Sequence, residues 1–214
     1  MAEGAAAARA SADSASCFEL QAASIVAFHD GFLAGRDAPL PAEPAPWWQW
    51  IEENHRSNTA LWREEDRARR SDVPDSEIVR CKRNIDALNQ RRNDAVEALD
   101  DCLLAALERV VPAPAPDARL SSETAGAIID RLSILALKIH HMRQASQRRE
   151  AGAEHMQRCA DKLATLVAQR KDLATCLDRL LHEASCGVAR FRTYRQFKMY
   201  NDPSLNPELY QRSR

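Results

Sequence analysis

Nine polar side chains occupy helical positions that periodicity assigns to packed faces: Asn54, Asn58, Glu65, Asn89, Arg92, Asp130, Lys138, His141 and Arg170. In "IDALNQRRNDAVEAL" the stripe of Ile78, Ile85, Leu88, Val96, Leu99 and Leu103 takes in Arg92, with Asn89 on its edge. Arg170 stands in the same way among Met156, Cys159, Leu163, Leu166, Leu177, Leu181 and Val188. An unpaired buried guanidinium is costly, so each arginine must meet a carboxylate or an anionic ligand. Two chemistries follow. In the first, Asn58, Asn89, Arg92, Lys138 and Arg170 line a site for phosphate or carboxylate, which guanidinium and ammonium groups recognise. In the second, Glu65 and Asp130 hold a metal or act with His141 as general acid and base. A third arrangement makes no site at all: pairs of the Arg92–Glu65 and Arg170–Asp130 type close on each other and set helix register.

The elements that carry these residues are read from apolar period and chain breakers. A first helix spans residues 18–34 and stops at Gly35, and a Pro-rich connector fills 36–46. A second helix runs from Trp47 to about Arg70. A third runs from Ser76 to Val110, with Asp75 or Ser76 as N-cap. A fourth, capped by Ser121 or Ser122, covers Glu123 to Gln147, and a fifth starts at Ala153 and passes or kinks at Gly187 to reach Tyr200. No segment alternates with period two, so no strand is expected. The fold class is all-α: an antiparallel bundle of four to five long helices in one domain over 18–200. Residues 1–17 are expected as a disordered Ala-rich tail and 201–214 as a tail with turns.

Two helices echo one another. "RNDAVEALDDCLL" and "RKDLATCLDRLLH" share Arg92/Arg170, Asp94/Asp172, Leu99/Leu177, Asp100/Asp178 and Leu103/Leu181 at one offset, the pattern of a duplicated helical hairpin.

Composition narrows the function classes. With 30 basic and 31 acidic residues the net charge is −1, which offers no field for nucleic acid. No run approaches the roughly 18 apolar residues of a membrane span, and no secretory leader is read at the start. The six cysteines form no C-x-x-C pair and are expected reduced, in a cytoplasmic protein. Glu52-x-x-His55 lacks the second Glu-x-x-His of a di-iron bundle and reads as a surface turn; His140 and His141 diverge by about 100° and make a poor metal pair. No cofactor or metal site is assigned. The basic–aromatic end, "CGVARFRTYRQFKMY", reads as a terminal helix packing its rings on the bundle rather than as a nucleic-acid surface.

"LWREED", "NQRRNDAVEALD", "IDRLSILALKIHHM", "QRKDL" and "KMYNDPSLNPELY" together resemble a bacterial family, domain of unknown function 4254, over about residues 47–210. The Ala-rich start and residues 37–46 depart from its pattern. The resemblance implies an all-helical cytoplasmic protein encoded near glycosyltransferases of surface-polysaccharide assembly. It brings no catalytic residues. The leading expectation is a binding or accessory protein for a phosphate or sugar-phosphate ligand, or for a glycosyltransferase partner. The alternatives are a metal-dependent hydrolase or sugar-phosphate transferase, and a structural helical homo-oligomer. The sequence does not decide whether the protein is an enzyme.

Overall fold

Proline and glycine set the element boundaries. Pro46 (φ −56°, ψ −23°) already has helical angles, and a helix start has no use for its missing N–H. From there α2 runs Trp47–Ala68, preceded by α1, Ala22–Leu33. Pro74 precedes α3, Asp75–Val110, whose 36 residues extend about 54 Å at ~1.5 Å per residue. The helix α4 covers Ala125–Ser146, α5 covers Ala153–Ser185 and a short α6 covers Pro207–Tyr210. The computed structural model describes residues 19–36, 44–197, 199 and 202–210. The expected tail at 1–17 and residues 37–43 of the connector lie outside the described residues. No described helix is long and apolar enough to cross a membrane.

The bundle is two antiparallel hairpins, α2–α3 and α4–α5, with α1 laid across α4 and α5; α3 and α5 barely touch. The main core joins Ile25 and Phe28 of α1, Trp48 and Ile51 of α2, Leu99 and Leu103 of α3, Ile129 and Leu132 of α4, and Leu177 and Leu181 of α5. Burying such a side chain contributes about 1.5–3 kcal/mol. Towards the hairpin tips the core thins, and in the first half of α5 Cys159 is the buried residue.

Helix ends are tied across the bundle by carboxylates. The first four amides of a helix lack internal partners. Asp178 Oδ1 on α5 accepts the Ala22 N–H at 2.7 Å, and Asp100 Oδ1 on α3 accepts the Gly126 N–H at 2.6 Å. These two aspartates are matched positions of the internal echo and do the same work, each against the first turn of another helix. The α4 cap is Thr124, whose hydroxyl accepts from the Ala127 N–H at 3.1 Å, in place of the expected Ser121 or Ser122. Pro74, without a side-chain hydrogen bond, stands where Asp75 or Ser76 was expected to cap α3.

Two other expectations are corrected at the end of α5. The helix does not reach Tyr200. Gly187 adopts φ 73°, and the Val188 N–H returns to the Glu183 carbonyl at 3.0 Å, a left-handed stop. The chain then forms β2, Ala189–Arg190, parallel to β1, Arg119–Leu120. Two residues are too few to show alternation, so the pair carries no sequence signal. Beyond it residues 191–197 form no helix. Thr193 and Arg195 bond Asp101 at 2.9 and 2.8 Å, Arg195 also bonds Glu97 at 3.0 Å, and Asn93 donates to Gln196 at 2.7 Å. Phe191 is buried, whereas Phe197 is 86% exposed, so the rings do not all pack.

The α3–α4 crossing yields two predictions. A Cβ on Gly126 would lie 2.8 Å from both Asp100 Oδ1 and the Val96 carbonyl, so Gly126→Ala is expected to cost about 1–3 kcal/mol in urea unfolding. Burial raises the Asp100 pKa to about 6, against hydrogen bonds from Thr124 and Gly126. A raised folded pKa favours the protonated form, so this contribution is present below about pH 4 and is lost as pH rises through 6. Asp100→Asn keeps the acceptor for Gly126 and removes the charge. It should gain on the wild type by about 2–3 kcal/mol between pH 4 and pH 7. A pH-independent difference would show that Asp100 is not the titrating group.

Candidate functional site

Where α2 passes α4, the two helices share a polar knot. Asn54 and Asn58 each donate from Nδ2 to the same Asp130 Oδ1 at 2.8 Å, and Asn58 also reaches Ser133 Oγ at 3.0 Å. His55 Nδ1 shares a 2.8 Å hydrogen bond with Ser133 Oγ. His55 is fully buried, not part of a surface turn as expected from its Glu-x-x-His spacing. The α1 helix closes the knot from above. His29 stacks on His55 with ring centroids 4.3 Å apart, and Asp30 Oδ1 accepts from Arg170 Nη1 at 2.7 Å.

This chemistry is sealed. Both His29 nitrogens and His55 Nε2 are buried without a hydrogen-bond partner among the described residues. Burial holds His29 well below the ordinary imidazole pKa, helped by His55 and the Arg170 guanidinium. Burial also pulls His55 down to about 4, against the opposing Asp30 carboxylate and His29 main chain. Both rings are therefore neutral at pH 7. Arg170 does face inward, but its partner is Asp30, not the expected Asp130, which the two asparagine amides occupy instead.

The remaining candidates lie elsewhere. Arg92 is half-buried, and its guanidinium approaches Asn93 Oδ1 at 3.3 and 3.4 Å rather than Glu65. At this level α3 is covered by α2 and hardly at all by α5, so the arc that holds Arg92 is an edge. Asn89 is half-buried one turn earlier. Glu65 pairs with Arg69 at 2.9 Å on the outer face of α2. The expected triad of Glu65, Asp130 and His141 is not assembled: Asp130 and His141 stand about 16 Å apart along α4 at ~1.5 Å per residue.

Lys138 and His141 open instead onto a groove of about 590 Å³ between the hairpin tips, lined also by Trp62, Met142, Lys162 and Leu166. Trp62 and His141 are stacked at 4.5 Å with 6° between planes, and His140 meets His141 edge-on at 5.3 Å. Partial burial, then His140, lowers the His141 pKa against Asp66 and Gln144, so the ring is neutral at pH 7 and able to donate or accept one hydrogen bond. Periodicity missed Trp62 and Lys162, which fall on faces that look solvated. His29 was legible, since it shares the face of Ile25, Phe28 and Phe32.

The His29–His55 pair has a measurable consequence. A lowered folded pKa means the stability is intact above the unfolded value of about 6.5 and is lost as pH falls towards 4. His29→Leu removes two unpartnered nitrogens. Its advantage over the wild type should grow on acidification from pH 6.5, by up to about 1.4 kcal/mol per pH unit. Parallel pH–stability curves would exclude His29 as the titrating group.

Comparison with known proteins places this architecture. No curated protein and no solved structure matches the chain. A family model described as "Protein of unknown function (DUF4254)" matches residues 48–193. That span takes in both hairpins, the β1–β2 bridge, the polar knot and the groove, and leaves α1 outside. The chain belongs to the DUF4254 family.

Proposed function

We propose that the protein binds a phosphate-bearing small molecule, a sugar phosphate, in the groove between α2, α4 and α5, and acts as a binding or accessory protein. One observation carries the reading. Lys138 and Lys162 face the groove and neither joins an ion pair among the described residues, while its floor is apolar and aromatic. Such cations favour an oxyanion. The Trp62–His141 stack offers a flat, apolar wall beside the phosphate. The groove of the other hairpin differs: Arg91, which lines it with Trp50 and Asp94, is already held by Glu53 at 2.7 Å.

Of the expected anion-site residues this reading keeps Lys138, drops Arg92, Arg170 and Asn89, and adds Lys162 and His141. It leaves Asn58, Asp130 and Arg170 as scaffold that fixes the walls. The family's expected setting makes surface-glycan assembly in a bacterial cytoplasm the process served, with a glycosyltransferase as partner. The separation of Asp130 from His141 argues against the hydrolase or transferase built on Glu65, Asp130 and His141.

The test is a titration of the full chain with glucose 1-phosphate and with inorganic phosphate, followed by calorimetry and tryptophan fluorescence. Either ligand, its phosphate bound at Lys138 and Lys162 beside the indole, should change the Trp62 emission, and the change should vanish in Trp62→Phe. Lys138→Ala and Lys162→Ala should each weaken binding about tenfold, the value of one charge-assisted contact. Rising salt should weaken it further. Absence of binding by both ligands, or unchanged affinity in the double lysine variant, overturns the proposal.

A further inference from the structure

The phosphate groove does not end at Lys138. Lys138 and Gln169 also line a second depression, of about 620 Å³, which continues along the same α4–α5 seam to Arg131 and Asp172. The two are one trough. From Arg131 to Ala145 they follow about 21 Å of α4 at ~1.5 Å per residue.

The two halves differ in chemistry. On the α2 side the walls are Trp62, Met142 and Leu166, suited to an apolar or planar group. On the far side the apolar floor of Ile134 and Leu173 is rimmed by Arg131, Glu123 and Asp172. Glu123 and Arg131 pair with each other at 2.5 Å, while Asp172 is exposed and joins no ion pair among the described residues. A free carboxylate accepts from a hydroxyl-rich ligand, and the neighbouring Gln169 amide and Arg131 guanidinium donate to it. Lys138 stands at the junction, with Lys162 on the apolar side.

Resting on the phosphate site proposed above, we infer that the ligand is a conjugate: a sugar joined through phosphate to an apolar or planar group. The sugar lies along Asp172 and Arg131, the phosphate at Lys138, and the other group against Trp62 and Leu166. An isoprenoid and a nucleobase both satisfy the third requirement, and the two are separated by experiment.

Titrate the full chain with glucose 1-phosphate, with UDP-glucose, and with glucose joined to farnesol by a phosphodiester. One conjugate should bind at least tenfold more tightly than glucose 1-phosphate. Leu166→Ser should bring the ratio of conjugate to glucose 1-phosphate affinity down to about one; Met142→Ser replaces it if the first variant fails to fold. Asp172→Ala should weaken all sugar-bearing ligands several-fold. Trp62→Leu should weaken UDP-glucose and spare the farnesyl conjugate, which names the source. If neither conjugate exceeds glucose 1-phosphate while Lys138→Ala still weakens it, the conjugate is refuted and the phosphate site stands. If none of the three binds, both readings fall together.

Discussion

A single carboxylate oxygen sets the register of the two hairpins. Asp130 Oδ1 receives an amide proton from Asn54 and another from Asn58, each at 2.8 Å. The residues lie one turn apart on α2, so the pair reads both position and rotation of that helix against α4. A slip of one residue rotates a helix by about 100° and would break both bonds at once. Unmade, they would leave buried polar groups unsatisfied, at about 1–3 kcal/mol each. With that register fixed, α2 and α4 run in the same direction, and two turns further along Trp62 meets His141. The aromatic wall of the groove is thus a consequence of the knot, although no knot residue reaches the groove.

The groove also follows from unequal helix length. α3 and α5 have 36 and 33 residues, and α2 and α4 have 22 each. The carboxyl-terminal halves of the long helices share the main core, and α1 covers it. Their amino-terminal halves are backed by one partner helix apiece, so apolar side chains such as Leu166 stay half-buried. Where the core beneath α4 and α5 thins, a trough opens along their seam, and Trp62 of α2 walls one end of it. Cations on its rim stay near water and need no protein partner. The same separation explains Arg92, which lies on a face that α5 never covers.

Much of this was legible from residue order. The 3.6 period together with Pro46, Pro74 and Gly152 locates four long helices to within a few residues, the end of α5 excepted, because an amphipathic helix writes its packed face into the chain. The inward aim of Arg170 is legible for the same reason. Its partner is not, since Asp30 reaches it through the docking of α1, which no local pattern encodes. The end of α5 was missed because a glycine inside a helical pattern and a glycine that stops a helix look alike until φ is known. Lys162 was invisible for a different reason. A lysine on an outward face has no periodic signature, and its groove exists through the relative placement of two hairpins.

The most telling contact joins a residue inside the family match to one outside it. Arg170 lies within residues 48–193, and Asp30 does not. A guanidinium with a side chain 14% exposed needs a counter-charge, and without α1 the same face would open Arg170, His55 and Ser133 to water. α1 answers that demand with a carboxylate, and with Ile25 and Phe28, two side chains at 0% and 2% exposure. Their burial contributes about 3–6 kcal/mol, more than one partly exposed ion pair supplies. The apolar contacts therefore hold the helix, and Asp30 neutralises the charge they enclose. Such a helix is a fixed part of the fold rather than a lid. That is why the anion site is sought at Lys138, where a charge stands open, and not at Arg170, where the protein already supplies the anion.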